Sequence, residues 1–305
     1  MKLRFLASRL EQAAFVLLGV SFAVFALSHL SGDPVSLMVG PTATQADIEA
    51  LRQSMNLDRP FFMQYAAFLG GVLQGDFGTS LWQHQPALGL VLERFPFTIQ
   101  LAAAALFLAL LVAVPLGILS AVYRNSLLDR LAIGTSLVGQ SVPGFWLGLL
   151  LILLFSVTLR LLPTGGSGSL LHLILPAVTL AAFTMGRIAR LVRTNMLDAL
   201  NSDALRTARA KGLREMTVVL KHGLRNAAIP IVTLIGLDAS SLLGGAVITE
   251  TIFAWPGLGR LVVQAISQRD FPLVQAATLC IAVIVVAVNL IVDLSYSFLD
   301  PRVTG

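Results

Sequence analysis

Charge is scarce in this chain of 305 residues: 12% are Asp, Glu, Lys or Arg, while 56% are hydrophobic. A soluble domain carries about twice that charge, so the composition excludes an ordinary soluble protein and describes a polytopic membrane protein. The single cysteine, Cys280, lies in an apolar run, which excludes an intrachain disulfide and a cysteine-held metal cluster. His29, His84, His172 and His222 are scattered and show no ligand spacing, so no metal site is expected. There is no G-x-x-x-x-G-K-[ST] phosphate loop, no H-E-x-x-H pair and no G-x-S-x-G elbow. Nucleotide hydrolysis and hydrolase chemistry are therefore not encoded in recognisable form, the chain reads as non-catalytic, and any energy source must be another chain. The 21 basic residues outnumber the 16 acidic ones, but they cluster between apolar runs rather than on one soluble face, which argues against nucleic acid as a partner.

What the chain has in abundance is long apolar runs. They occur near 10–30, 97–122, 133–159, 171–191, 229–250 and 273–298, each about the 20 residues needed to cross roughly 30 Å of hydrocarbon. An all-α integral membrane protein with six transmembrane helices is predicted. The first helix follows Lys2, Arg4 and Arg9 and stops at Ser31-Gly32-Asp33-Pro34. A signal peptide is the rival reading of this basic, apolar start. With the amino terminus inside, most basic residues fall on the inner side, which places both termini in the cytoplasm. The organisation expected is a first helix over 1–30 and a small extracytoplasmic segment over 31–96. A five-helix core then fills 97–298 with an inner loop at 192–228, and a tail covers 299–305. Within the outer segment, Ala43 to Arg52 suggests a short helix with Thr44 and Asp47 in its first turn.

Inside the spans, Pro115, Pro143, Pro176 and Pro230, with Gly144, Gly148, Gly236, Gly244 and Gly245, mark fixed kinks or moving hinges. An acid at the membrane centre costs roughly 2.5–3.5 kcal/mol and faces protein or water. Asp238 near the middle of the fifth span is the candidate for a polar translocation path, together with Ser241 and Gln140; pairing with a basic group on a partner subunit, or protonation, are its other readings. Asn289, Asp293 and Tyr296 fall on one helical stripe, a pattern that staples helices together.

The densest basic stretch runs from Asp203 to Pro230. It cannot sit in hydrocarbon. Asp203 is placed to cap a helix that Ala204, Ala208 and Ala210 favour, and Gly212 ends it before a second helix begins near Arg214. Taken alone, the stretch reads equally as a docking element or as a solvated segment that enforces topology.

The same stretch resembles the cytoplasmic motif of importer permeases of the ATP-binding-cassette superfamily, E-A-A-x3-G-x9-I-x-L-P. Ala208, Gly212 and Leu224 match; Arg206 and Thr207 replace the leading Glu and Ala, and His222 and Arg225 stand where Ile and Pro would fall. The run from Arg206 through Thr207, Ala208, Arg209, Ala210, Lys211 and Gly212, followed by Leu213 and Arg214, is similar to the form carried by the peptide and nickel branch. Ser31 to Pro34, Leu57 to Pro60, Gly75 to Ser80, Val142 to Gly148, Thr249 to Arg260 and Asp300 to Arg302 extend the resemblance along the chain. It implies a type I importer permease fold in a bacterial cytoplasmic membrane, surrounded by lipid. It also implies a second, similar permease, two cytoplasmic ATPases that hold ATP and Mg, and an extracytoplasmic solute-binding protein, with no cofactor on this chain. Cargo implied by the branch is a di- or oligopeptide, a nickel complex or glutathione, and the loop 192–228 is implied to contact the ATPases. Asp238 departs from the branch, where a neutral amide is the commoner residue. A stand-alone secondary carrier is the alternative from another class; it needs intramembrane ion sites, for which only Asp238 and Asp293 are candidates.

Overall fold

The computed structural model describes residues 2–30, 44–46, 49, 52 and 58–299. Among them the regular structure is helical, with one isolated bridge between Thr79 and Pro86. Helices follow from the solvent, because in hydrocarbon every backbone N–H and C=O must find its partner within the segment. The order is α1 (Lys2–Leu30), α2 (Phe61–Leu73), α3 (Ala87–Val122), α4 (Leu127–Ser141), α5 (Gly144–Leu151), α6 (Leu170–Leu200), α7 (Asp203–Ala210), α8 (Leu224–Ile252), α9 (Leu258–Ser267) and α10 (Phe271–Leu299). π-Helical turns extend α5 over Ile152–Thr158 and lead into α8 over Val218–Gly223.

Among the described residues five helices are long and apolar enough to cross a membrane, and a sixth span exists if α4 and α5 count as one. That pair covers the run near 133–159, which the sequence reads as one span with Pro143 as a kink or hinge; the two axes meet at 105°. Pro143 is the cause. It has no N–H to give, and its ring drives the preceding Val142 out of the helical region to φ −79°, ψ 124°. Pro176 and Pro230 lie inside α6 and α8 without ending them. The helix α3 starts at Ala87, well before 97, since Glu93 is on an exposed face and does not interrupt it. The short helices α2 and α9 are further additions to the sequence reading. Of the helix expected from Ala43 to Arg52, Gln45, Ala46, Glu49 and Arg52 are helical, while Asp47 and most of residues 31–57 lie outside the described residues, as do residues 300–305.

The chain separates into two compact units, Met1–Pro96 with Gly257–Val286 and Phe97–Pro256 with Ala287–Gly305. In the first, Phe25 of α1 is buried against Phe61, Tyr65 and Phe68 of α2, with ring centroids 5.4–5.5 Å apart. Ser21 and Tyr65 share a hydrogen bond of 2.8 Å beside it. The stretch Gly75 to Ser80 makes a tight turn in which Gly75 and Gly78 have φ +78° and +79°, backbone that only glycine adopts cheaply. This turn places Ser80, whose hydroxyl donates to the buried Asp270 carboxylate.

In the second unit α6 is the central helix. Leu101, Ala105 and Ala109 of α3 meet Ala177, Leu180 and Ala181 of α6 and Leu242 and Ala246 of α8. A second cluster joins Ala113 and Ile118 to Ile188, Ala189, Val192 and Met196 of α6 and to Ala227 and Ile231 of α8. Helix association in a bilayer gains little from apolar burial, so it relies on close approach of backbones. A Cβ on Gly117 would lie 2.6 Å from the Ala189 carbonyl oxygen, and one on Gly186 would lie 2.5 Å from that of Ser136. Among the glycines singled out in the spans, Gly236 approaches Val292 and Gly148 packs on Phe253 and Thr179, whereas Gly144 and Gly244 face open space.

Gly186→Val therefore has no room and is expected to destabilise the α4–α6 contact by about 1–3 kcal/mol, lowering the thermal midpoint of the detergent-purified protein. Gly134→Ala, where a Cβ meets nothing within 4 Å, is the control and should leave the midpoint unchanged.

Candidate functional site in the basic loop and the arginine helix

The loop between α6 and α8 is built around a short helix with one greasy face. In α7, Leu205 and Ala208 are buried against Val218 with Leu200 at their edge. The position before the helix is Ser202, so Asp203 is its first residue rather than its cap; the Asp203 carboxylate accepts from Arg206 Nη1 at 3.3 Å instead. An acid there still favours the helix by facing its positive end. At the other end, Gly212 adopts φ +75°. Leu213 N–H donates to the Ala208 carbonyl and Gly212 N–H to that of Arg209, the pair of bonds that closes a helix through a left-handed residue. A helical turn begins at Glu215 after Arg214, close to where the sequence places it.

Arg209 braces the loop. Its Nε and Nη2 donate to the Glu215 carboxylate at 3.1 and 2.8 Å, and Nη1 donates to the Leu200 carbonyl at 3.3 Å. One guanidinium thus ties the end of α6, the helix α7 and the start of the segment leading to α8. The Arg209 hydrogen bonds hold the Glu215 carboxyl below its ordinary 4.5 and raise the guanidinium above its own range. A carboxylate lowered in this way stabilises the fold above its unfolded value and loses that contribution only as pH falls through the lowered one, so the brace is complete at neutral pH. Asp203, Arg206, Thr207, Arg209, Ala210, Lys211, Gly212, Leu213, Arg214 and Arg225 are exposed, His222 and Leu224 are half-buried, and Ala208 faces inward. Beside the cations project two large apolar side chains, Leu213 and Met216, the latter 73% exposed; Met216 was not singled out by the sequence.

A second polar constellation lies along α6. Arg187, Arg190 and Arg193, spaced three residues apart, each reach a different acceptor. Arg193 donates Nε and Nη2 to the two oxygens of Asp129 at 2.7 and 2.9 Å. Asp129, 2% exposed, also accepts from the Ser120 hydroxyl and the Asn125 N–H, so α3, α4 and α6 meet at one carboxylate. Arg190 donates to Gln140 Oε1 on α4, and Arg187 donates to Asp238 on α8. The sequence reading gives these arginines no role beyond the basic charge of the inner side; their three-residue spacing at the end of an apolar run is the signal that points to them.

The three residues expected along a path are in different situations. Asp238 is 1% exposed and salt-bridged. Ser241 is exposed and donates to the Leu237 carbonyl of its own helix. Gln140 lines a cavity of about 280 Å³ with Ser141, Val142, Pro143, Gly144 and Phe183. On the stripe, Asn289 Oδ1 accepts from the Ser240 hydroxyl at 2.7 Å, a tie between α10 and α8; Asp293 is half-buried, and the Tyr296 side chain lies outside the described residues. No group of three or more His, Cys, Asp or Glu capable of holding a metal occurs among the described residues.

Asp129→Ala strips the buried partner from Arg193 and is expected to cost about 3–5 kcal/mol. Arg206→Ala, which removes a pair exposed at 76% and 96%, is expected to cost under about 1 kcal/mol. Thermal unfolding of the two purified variants compares them directly.

Residues 113–305 match the family described as binding-protein-dependent transport system inner membrane component, and residues 2–102 match its N-terminal counterpart. The oligopeptide transport system permease protein AppB of Bacillus subtilis (strain 168) is 44% identical over 300 residues, 94% of this chain and 95% of AppB. The glutathione transport system permease protein GsiC of Salmonella paratyphi A is 43% identical over 302 residues, 99% of each chain. Among solved structures, the inward-facing MetNI methionine ABC transporter superposes with a TM-score of 0.57 at 20% identity, over 69% of this chain and 96% of that one, a likeness of fold. The chain belongs to the family of binding-protein-dependent transport system inner membrane components, as a multi-pass permease with the type I ABC importer fold.

Proposed function

We propose that this chain forms one half of the translocation pathway of an ATP-driven importer of di- and oligopeptides, working by alternating access. A second, similar permease completes the pathway, an extracytoplasmic solute-binding protein delivers cargo, and two cytoplasmic ATPases that carry ATP and Mg drive the cycle. Both termini and the loop of residues 192–228 lie on the cytoplasmic side, and this chain itself performs no covalent step. The observation that carries the reading is the construction of that loop. It is a short, internally seated helix, closed by Gly212 and braced by Arg209 onto both flanking segments, with Leu213 and Met216 projecting among cations. A segment needed only for its charge has no use for such a brace, whereas a rigid projection seated in an ATPase groove passes rotation of that subunit to α6 and α8. Arg206, Lys211 and Arg214 flank the contact, Ala208 holds it from inside with Leu205 and Val218, and Leu224 anchors the start of α8 to the core.

A peptide cargo is favoured by the likeness to AppB, and glutathione, itself a small peptide, by the near-equal likeness to GsiC. Ion-driven carriage finds less support, because Asp238, the acid best placed to bind an ion, is already engaged by Arg187.

A Cβ at residue 212 would meet nothing within 4 Å, so substitution there acts through backbone strain rather than collision. Gly212→Val is expected to cost about 1–2 kcal/mol at the turn and to lower ATP-dependent trialanine uptake at least tenfold in proteoliposomes holding the complete transporter. Loss of ATPase co-purification or ATP hydrolysis without uptake both fit. Normal uptake with normal ATPase recruitment defeats the assignment, and so does wild-type uptake that survives ATP depletion and collapses with the ion gradient.

A further inference from the structure

Charge along α6 does not balance. Three guanidinium groups, Arg187, Arg190 and Arg193, stand at successive turns of a helix that qualifies as a membrane span. Two carboxylates answer them, Asp238 at Arg187 and Asp129 at Arg193. Arg190 is bonded to a neutral amide, Gln140 Oε1. One positive charge, on a half-buried side chain, is thus left without a carboxylate among the described residues, a condition that favours contact with water or a ligand. Arg187 is not fully used either: its side chain is 35% exposed, and its Nε and Asp238 Oδ2 are buried without hydrogen-bond partners.

Neither cation is itself on the wall of the cavity at the bend between α4 and α5, but each stands directly behind a residue that is. Gln140, held by Arg190, lines the cavity of about 280 Å³ at the bend between α4 and α5. Phe183, whose ring centroid is 6.0 Å from Arg187 Cζ, lines it too. Gln140 fixes its own orientation by donating Nε2 to the Ser136 carbonyl at 3.2 Å, so its Oε1 is committed to Arg190. The bend adds backbone at membrane depth, tolerated where it is packed in protein or borders water, and the first turn of α5, starting at Gly144 on the cavity wall, has no side-chain cap. Its free N–H groups carry positive potential toward the same space.

We propose that this cavity is a carboxylate-binding subsite for cargo in transit, with Arg187 and Arg190 supplying the charge and Gln140 and Phe183 forming the wall. The proposal rests on the reading of the chain as a peptide importer and deepens it: the cargo presents a free carboxylate, such as a peptide C terminus, and Asp238 serves to hold Arg187 rather than to touch cargo. A carboxylate of the second permease has the same chemistry, and the test separates the two sources.

Arg190→Gln removes the unbalanced charge and orphans no carboxylate. In proteoliposomes with the whole transporter and its binding protein, uptake of trialanine and of trialanine amide is measured for wild type, Arg190→Gln, Arg190→Lys and the charge-neutral pair Arg187→Gln with Asp238→Asn. Arg190→Gln and the double variant are expected to slow trialanine about tenfold while changing trialanine amide less than twofold, with Arg190→Lys restoring most of the difference. Equal slowing of both peptides, as expected if the arginines pair with the second permease or act only in assembly, overturns the subsite, and so does no slowing of either. A wild-type transporter that moves neither peptide overturns the import reading, and the subsite with it.

Discussion

The meeting of Arg193 with Asp129 is the contact on which the inner architecture depends. A guanidinium and a carboxylate cannot be left bare in an apolar surround, and the desolvation of both is offset only if nearly every donor and acceptor is used. Asp129 achieves this with four partners: two nitrogens of Arg193, the Ser120 hydroxyl and the Asn125 N–H. Because the carboxylate stands on α4 and its partners on α6, on α3 and in the turn between α3 and α4, satisfying it fixes the mutual position of the three helices. The close contacts at Gly117 and Gly186 then become possible, since backbones already held at this spacing leave no room for a Cβ. Polar pairing sets the register and small residues exploit it.

From that frame the loop inherits its rigidity. The helix α6 ends at Leu200, and the Leu200 carbonyl is one of the acceptors that Arg209 binds. The helix α7 is therefore joined to its flanking segments by hydrogen bonds and a buried Leu205–Ala208–Val218 contact rather than by slack chain. The π-helical turn over Val218–Gly223 and the proline at position 230 stand between this brace and the rest of α8. Such irregular turns concentrate bending at one place, so the two helices leaving the loop differ in stiffness.

The break at Pro143 has a parallel consequence. A straight span would close its own hydrogen bonds and present only side chains. Two half-helices meeting at 105° open a cavity walled by Ser141, Pro143 and Gly144, next to the one stretch of α6 that carries cations. Gln140 and Asp238, far apart in sequence, are both reached from α6, by Arg190 and Arg187.

Much was legible in the chain itself. Apolar run length predicts the spans because a bilayer imposes one thickness and demands internally bonded backbone. The basic loop was equally readable, since Gly212 and the alanines of α7 act locally. Asp203 was misjudged by one position, a difference that cap geometry decides and propensity does not. The pairing of charges lay beyond the sequence: nothing in the order of residues says that Arg193 finds Asp129, that Arg187 neutralises Asp238, or that Arg190 is left with Gln140. Nor does composition reveal that one apolar run folds back on itself at Pro143 while Pro176 and Pro230 leave their helices unbroken. Periodicity and solvent determined which segments are helices and which lie in the membrane. Only tertiary structure decided which charges meet, because Coulomb energy and hydrogen bonding depend on distances between residues far apart in the chain.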